Sequence, residues 1–224
     1  MGRRHNNKLA NTYALLGALA FAAFLPAGTS FAGERMASLG NSATMPQERP
    51  VYATVGETTR APIGWVEFCG EYKAECDTIP SAPRDVVLTP KAWSDMVKVN
   101  AWVNESIQPI TDQDHWGVVE RWNYPTDGKG DCEDYVLLKR RMLMQAGWPR
   151  EALLITVVRD KKGDGHAVLT VKTNRGEFIL DNQEGEVLAW NKTGYRFVKR
   201  QSQSDPNTWV SLGDTRSPAI VSAR

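Results

Sequence analysis

Apolar residues repeat with the period of an α-helix in two segments of the chain. The first helix is predicted to begin with Thr89 as N-cap and Pro90 at the first helical position, and to end near Ile107. Its apolar positions form one stripe: Trp93, Met96, Val97 and Ala101. Asn100 and Asn104 lie one turn apart on this helix. They indicate either a solvated face or a polar network that supports a neighbouring site.

The second helical segment has a cysteine in its first turn. Asp131 is the predicted N-cap, Asp134 holds the capping-box position, and Gly147 with Pro149 ends the helix. The apolar positions in between are Tyr135, Leu138, Met142, Leu143 and Ala146. Because Cys132 shares a face with the first of these residues, its side chain is expected to point toward the core.

Beyond this helix the apolar period changes from that of a helix to that of a strand. Strands are predicted at Leu153–Val158, His166–Thr173 and Glu177–Asp181, with a loop at 160–165 and a turn at 174–176. By contrast, residues 33–62 are rich in Gly, Ser, Thr and Pro and show little periodicity, so we expect an extended or poorly ordered segment. The length of the chain favours one domain, expected over residues 33–224.

The turn between the last two strands sets their register. If Thr173 faces Gly176, the apolar pairs on one face are Leu169 with Leu180 and Val171 with Phe178. His166 and Asp181 then become diagonal neighbours on the other face, about 7 to 8 Å apart along the backbone. The two side chains can bridge that distance.

The first 32 residues have the features of a secretory signal peptide. Basic residues precede an apolar run from Tyr13 to Leu25, which is too short to span about 30 Å of hydrocarbon as a helix. Ser30 and Ala32 fit the small-residue rule for cleavage before Gly33. The alternative is a retained N-terminal anchor. Cleavage would leave an exported protein with no membrane span, predicted to be periplasmic.

The charge of the chain is balanced. The 27 Lys and Arg residues against 26 Asp and Glu residues give a formal charge of +1, and loss of the first 32 residues lowers it to near −2. No polybasic surface is available to hold nucleic acid through its phosphates. Nucleic acid is therefore excluded as an expected partner.

The three cysteines divide into a near pair and a distant one. Cys69 and Cys76 are seven positions apart in a short polar segment that a glycine allows to close as a loop, and we expect a disulfide between them. Cys132 would then remain as a free thiol. A different pairing that blocks Cys132, or three free thiols, is the alternative.

The free thiol, one histidine and one carboxylate indicate nucleophilic catalysis. Signal cleavage leaves His115 and His166, and the second of these lies beside Asp181 in the predicted hairpin. A helix N-terminus favours a thiolate at Cys132, His166 can take its proton, and Asp181 can orient the imidazole. The alternatives are an inert core thiol and a histidine that is merely a strand residue.

Acidic residues surround the predicted nucleophile. Asp131, Glu133 and Asp134 oppose thiolate formation, each by up to about 3 kcal/mol at roughly 6 Å and an effective dielectric constant of 20. A hard cation with oxygen ligands would neutralise them, and calcium prefers such carboxylates. The alternative is that they are plain acids of a first helical turn.

Several motifs together resemble the bacterial transglutaminase-like cysteine peptidases, the LapG-like periplasmic proteases. The resemblance covers about residues 62–200. It is carried by Asn100 and Asn104, the tryptophan-rich segment 116–125, and these three motifs: Gly130-Asp131-Cys132-Glu133-Asp134-Tyr135, Gly165-His166-Ala167-Val168 and Leu180-Asp181-Asn182.

The resemblance implies an α+β, papain-like or transglutaminase-like fold with the catalytic helix packed against an antiparallel sheet. It implies Cys132 as nucleophile, His166 as base and Asp181 as orienting group, with calcium held by Asp131 and Glu133. The implied substrate is a surface or periplasmic protein, such as the N-terminal region of an adhesin cut during biofilm release. An inner-membrane receptor that sequesters the protease is the further implied partner.

Two other functions fit the same residues. An acyltransferase of the transglutaminase type would use the same triad and pass the acyl group to an amine. A catalytically silent periplasmic binding protein would have lost the use of the triad, although all three of its residues are present. Products formed with and without excess amine distinguish peptidase from acyltransferase.

Overall fold

Helices pack against one face of the larger sheet in the part of the chain that the structure describes. The structure, a computed structural model, describes residues 45–46, 49–77 and 82–213, so the predicted signal peptide lies outside it. The α-helices within these ranges are α1 (Ile63–Glu71), α2 (Lys73–Cys76), α3 (Pro90–Ser106), α4 (Asp112–Trp116) and α5 (Cys132–Gln145). In these same ranges, no helix combines the length and hydropathy needed to cross a bilayer.

The two helices predicted from apolar periodicity are confirmed. Helix α3 begins as expected, with Thr89 Oγ1 accepting a hydrogen bond from the Ala92 backbone N–H at 3.1 Å. Helix α5 follows Asp131, whose side chain nevertheless does not cap it. The capping role predicted for this carboxylate is therefore wrong, because Asp131 accepts a hydrogen bond from the backbone N–H of Asp112 at 3.3 Å instead.

The strands form one antiparallel sheet and one small parallel pair. The parallel pair is β2 (Gln108–Pro109) with β3 (Lys129–Gly130). The large sheet has the order β1-β9-β8-β4-β5-β6-β7. Its strands are β1 (Thr58–Thr59), β4 (Leu153–Arg159), β5 (Gly165–Thr173), β6 (Gly176–Leu180), β7 (Leu188–Ala189), β8 (Arg196–Gln201) and β9 (Trp209–Ser211).

The hairpin of β5 and β6 has the predicted register. Thr173 lies opposite Gly176, and the apolar pairs are Leu169 with Leu180 and Val171 with Phe178. The odd-numbered residues of β5 join the main core with Cys132 and Val136 of α5. The even-numbered side packs into a smaller cluster of Val158, Val168, Ile179 and Phe197. Alternation along β5 therefore buries both faces of the sheet, and α5 lies against one of them.

The structure contains the predicted disulfide between Cys69 and Cys76, and the segment that it closes is helical. Helices α1 and α2 carry the two cysteines, whose sulfur atoms are bonded and whose Cα atoms are 5.6 Å apart. Trp65 and Phe68 of α1 are buried in the main core. Helix α1 forms without a side-chain N-cap, so burial of these rings, rather than a local signal, stabilises it.

The N-terminal segment up to residue 62 is largely extended where it is described. Val51 accepts a hydrogen bond from the Glu177 backbone N–H at 3.2 Å, which holds the segment against β6. It also contains β1, which pairs with β9. The expectation of no regular element here is therefore wrong at Thr58–Thr59, because a two-residue strand is too short to produce a period.

Candidate active site

Cys132 begins α5 and is buried. Its thiol donates a hydrogen bond to Glu133 Oε2 at 3.1 Å and accepts one from the backbone N–H of Ala167 at 3.4 Å. Burial raises the pKa of the Cys132 thiol well above its ordinary value, and the charges of Glu133 and Asp131 raise it further. The arrangement as it stands therefore keeps this sulfur protonated.

His166 and Asp181 form a buried pair, as the hairpin register indicated. His166 Nε2 lies 2.7 Å from Asp181 Oδ1, and neither side chain is more than 2% exposed. Asp181 lies just beyond the end of β6, and its Oδ1 also accepts the backbone N–H of Gln183 at 3.0 Å. Its Oδ2 accepts the hydroxyl of Tyr195 at 2.6 Å. The carboxylate is thus fixed through both oxygens.

Hydrogen bonds keep the Asp181 carboxylate ionised despite its burial. Burial alone would raise the pKa of Asp181, but the hydrogen bond and charge of His166, together with the Tyr195 hydroxyl, outweigh it and hold the pKa below its ordinary value. An ionised carboxylate at this position can stabilise an imidazolium. That is the electrostatic role an orienting aspartate plays in a triad.

The imidazole presents its other nitrogen away from Asp181. Gln183 Nε2 lies 3.4 Å from His166 Nδ1, which fits a proton on Nε2 and a lone pair on Nδ1. No hydrogen bond joins Cys132 to His166, both of which are in the described part of the chain. The structure thus brings His166 and Asp181 into direct contact but leaves the thiol hydrogen-bonded to Glu133.

A third carboxylate joins the two predicted metal ligands. Asp112, Asp131 and Glu133 are buried, and one oxygen from each lies within 4.8 Å of the others. Sequence reasoning missed Asp112. The only local signal is Thr111, the N-cap of α4, which places Asp112 at the first helical position. The backbone N–H of Arg121 donates to Asp112 and helps to fix its carboxylate.

The electrostatics of this carboxylate cluster suit a cation. Burial raises the pKa of Asp131 to about 7, and burial together with the charges of Asp131 and Asp134 raises the pKa of Glu133 well above its ordinary value. Asp131 Oδ1 and Glu133 Oε1 are buried without a hydrogen-bond partner in the described residues. Oxygen ligands at this spacing match the preferences of Ca²⁺. These three residues therefore fit a calcium ion.

Asp134 has a structural role beside the cluster. Its carboxylate accepts the backbone N–H of Asn123 at 2.9 Å and also that of Asp131, as a capping box requires. A Cβ on Gly130 would lie 2.5 Å from Asp134 Oδ2. The glycine that precedes the motif is therefore required by the close approach of this side chain.

The asparagines of α3 hold the segment that follows Asp181. Asn104 Nδ2 donates to the Asp181 carbonyl at 2.8 Å, and Asn100 Nδ2 donates to the Gly185 carbonyl at 3.2 Å. The solvated-face interpretation of these residues is wrong, since Asn100 is fully buried. The alternative, a polar network beside a site, is the arrangement found. His115 lies elsewhere, with Nε2 2.8 Å from Asp127.

Comparisons with known proteins give a family match. A family model described as bacterial transglutaminase-like cysteine proteinase matches residues 55–217. No curated protein sequence matches the chain.

Solved structures similar to the chain include LapG from Legionella pneumophila. Its calcium-bound structure is 25% identical to the chain at a TM-score of 0.46, over 58% of this chain and 74% of the other. A second LapG structure is 27% identical at the same TM-score, over 55% and 71%. An EGTA-treated structure is 25% identical, again at 0.46, over 58% and 71%.

Proposed function

Because the chain belongs to the bacterial transglutaminase-like cysteine proteinase family, we propose that it is a calcium-dependent cysteine endopeptidase with Cys132, His166 and Asp181 as its catalytic triad. The observation that carries this proposal is the buried pair of His166 Nε2 and Asp181 Oδ1, 2.7 Å apart. Ala167, the residue after His166 on β5, donates its backbone N–H to the Cys132 sulfur, so the pair lies beside the thiol. Family membership supports a peptidase. The triad assignment and the calcium requirement are our own inferences.

The proposed reaction begins with transfer of the thiol proton to His166 Nδ1. The sulfur attacks the scissile carbonyl carbon, and backbone N–H groups in the first turn of α5, which lack helical partners, are available to the oxyanion. The imidazolium then gives its proton to the leaving amine as the C–N bond breaks, which leaves a thioester on Cys132. Water, deprotonated by His166, attacks the thioester and releases the carboxylic acid and the thiol.

Asp112, Asp131 and Glu133 would hold the calcium ion. A bound ion would supply positive charge to offset these carboxylates, two of which, Glu133 and Asp131, add to the effect of burial in raising the pKa of the Cys132 thiol. For the reaction to start, the Cys132 thiol must exchange its hydrogen bond with Glu133 for one with His166. The same carboxylate is thus a ligand candidate and the present partner of the nucleophile.

We place this activity outside the cytoplasm, on the basis of the signal-like N-terminus. The proposed location is the periplasm, and the proposed substrate is a surface or periplasmic protein such as the N-terminal region of an adhesin. An inner-membrane receptor is the proposed regulatory partner. The substrate and receptor assignments rest on the resemblance described above.

The experiment that tests the catalytic assignment is alkylation of native, unreduced mature protein by iodoacetamide, read by peptide mass spectrometry across pH. With Ca²⁺ present to offset the neighbouring carboxylates, we expect Cys132 to react below the pH at which an ordinary thiol, with a pKa near 8.5, would react; with a chelator it should react slowly. His166→Gln should abolish this reactivity, whereas His115→Gln, which alters the other His–Asp pair, should not. Equal reaction in both variants would remove His166 from the triad.

Cleavage and calcium need separate measurements. Incubation with the N-terminal region of a surface adhesin, with and without excess amine, should give free acid products in both cases, and Cys132→Ala should give none. Amine-linked products would favour the acyltransferase.

For calcium, titration calorimetry with Ca²⁺ should show binding that Asp112→Asn abolishes. Asp114→Asn, on the same short helix, should leave binding intact. Binding unchanged by Asp112→Asn would refute the site.

A further inference from the structure

Tyr195 completes the hydrogen bonding of the Asp181 carboxylate. Its hydroxyl donates to Oδ2 at 2.6 Å, while Oδ1 accepts His166 Nε2 at 2.7 Å and the Gln183 backbone N–H at 3.0 Å. A carboxylate held through one oxygen can still rotate about its Cβ–Cγ bond. With both oxygens engaged, Asp181 presents Oδ1 to the imidazole in one fixed direction.

The same tyrosine also restrains the histidine. The rings of Tyr195 and His166 meet edge to face, with their centroids 5.9 Å apart and an interplanar angle of 85°. Edge-to-face contact is a favoured arrangement of ring pairs, and it restricts the orientations that the imidazole can adopt. One side chain therefore contacts both members of the His166–Asp181 pair.

The backbone around Tyr195 is itself held firmly. Thr193 Oγ1 accepts the Tyr195 backbone N–H at 3.2 Å and donates to the Trp190 carbonyl at 3.0 Å. Gly194 between them has a φ of +74°, a left-handed conformation that favours glycine. The tyrosine ring also packs against the small apolar cluster that includes Val168. The Tyr195 hydroxyl is thus positioned by a hydrogen-bonded turn that immediately precedes β8.

We propose that Tyr195 is a positioning residue of the catalytic site, acting through Asp181 to fix the tautomer and orientation of His166. The proposal rests on the proposed function and extends the triad by one residue. Burial, and next the hydrogen bond to Asp181, raise the pKa of Tyr195, so its hydroxyl remains a donor throughout the working pH range. No substrate contact is assigned to it.

The test compares Tyr195→Phe with Tyr52→Phe. Both substitutions remove one phenolic hydroxyl, and the Tyr52 hydroxyl donates to the Thr173 carbonyl at 3.1 Å, at the other end of β5. The first readout is the ¹⁵N-edited imidazole spectrum of His166. We expect one rigid tautomer with its proton on Nε2 in wild type and Tyr52→Phe, and broadened or mixed tautomer signals in Tyr195→Phe.

The second readout is kinetic and uses a peptide that the wild-type protein cleaves. Tyr195→Phe should lower kcat about tenfold with little change in KM, because a donor is lost from a charged acceptor near the reacting groups. Since the lost hydroxyl helps to hold the pKa of Asp181 down, the acidic limb of the rate profile should move to higher pH. 3-Fluorotyrosine at position 195, a stronger donor, should move that limb to lower pH.

The outcomes separate this proposal from the peptidase assignment. An unchanged imidazole spectrum in Tyr195→Phe overturns the positioning role, whether or not the protein is a peptidase. A changed spectrum in a protein that cleaves no peptide supports the positioning role and counts against the peptidase. If Tyr195→Phe does not fold, the fluorotyrosine protein decides the question, because an unshifted pH profile there overturns the proposal.

Discussion

Lys139 is a buried amine whose removal should stabilise the protein. It lies on α5, is fully buried, and its Nζ has no hydrogen-bond partner in the described residues. The nearest ring is that of Tyr135, with its centroid 5.8 Å from Nζ. Burial lowers the pKa of Lys139 from about 10.5 to about 7, and attraction to Asp181 only partly opposes this.

The sign and size of the effect follow from proton linkage. Because the folded state holds this proton less tightly than the unfolded chain, the amine destabilises the fold at low pH and ceases to do so as pH rises through about 10.5. Below pH 7 the penalty is complete, at about 5 kcal/mol, and it decreases by about 1.4 kcal/mol for each pH unit above that. At pH 8 about 3 kcal/mol remains.

Lys139→Met removes the charge and nearly conserves the volume. We expect the free energy of unfolding, measured by urea denaturation, to exceed that of wild type by about 3 kcal/mol at pH 8, with the difference shrinking toward zero at pH 10.5. Lys98→Met, at an exposed position of α3, is the matched control and should show no such trend. A variant that is less stable at pH 8, or a difference that does not depend on pH, would refute the reasoning.

Three further predictions concern stability. Glu177→Gln should lower the free energy of unfolding by about 3 to 5 kcal/mol in urea titrations, because it leaves the buried Arg200, now 2.8 Å from the carboxylate, without a counter-charge. Replacing Cys69 and Cys76 together with alanine should cost about 2.5 kcal/mol by the same measurement, since the disulfide closes a loop of only seven positions. Gly130→Ala should cost about 1 to 3 kcal/mol, as a fall in Tm, because the added methyl group meets Asp134; an unchanged Tm would show that this side chain can move away.

The parts of the fold that were predictable are those encoded locally. Helices α3 and α5 both have an apolar stripe within their own residues, and α3 also has a side-chain N-cap. The register of the β5–β6 hairpin follows from a two-residue turn. Helix α1 has no such signal, since its burial depends on rings from distant segments, such as Trp209. Strand β1 is too short for periodicity and exists through its pairing with β9.

Some residues of the candidate site were likewise predictable from the local sequence, and others were not. Cys132, Asp131 and Glu133 are consecutive, and the approach of His166 to Asp181 could be worked out from one hairpin. Asp112 and Tyr195 reach the site from other elements, and no spacing rule connects them to it. The hydrogen bond between Cys132 and His166 that a triad requires is absent between these two described residues, and the thiol donates to Glu133 instead.

The separation of the disulfide from the free thiol affects how the chain folds under oxidising conditions. Cys132 follows Cys76 by 56 positions, against seven between Cys69 and Cys76, so closure of the short loop is favoured about twentyfold by chain entropy alone. Once α5 docks on the sheet, the Cys132 sulfur is buried and its pKa is raised, so its oxidation is slow before any cation binds. Local pairing followed by burial thus keeps the remaining thiol out of mispaired disulfides while the chain folds.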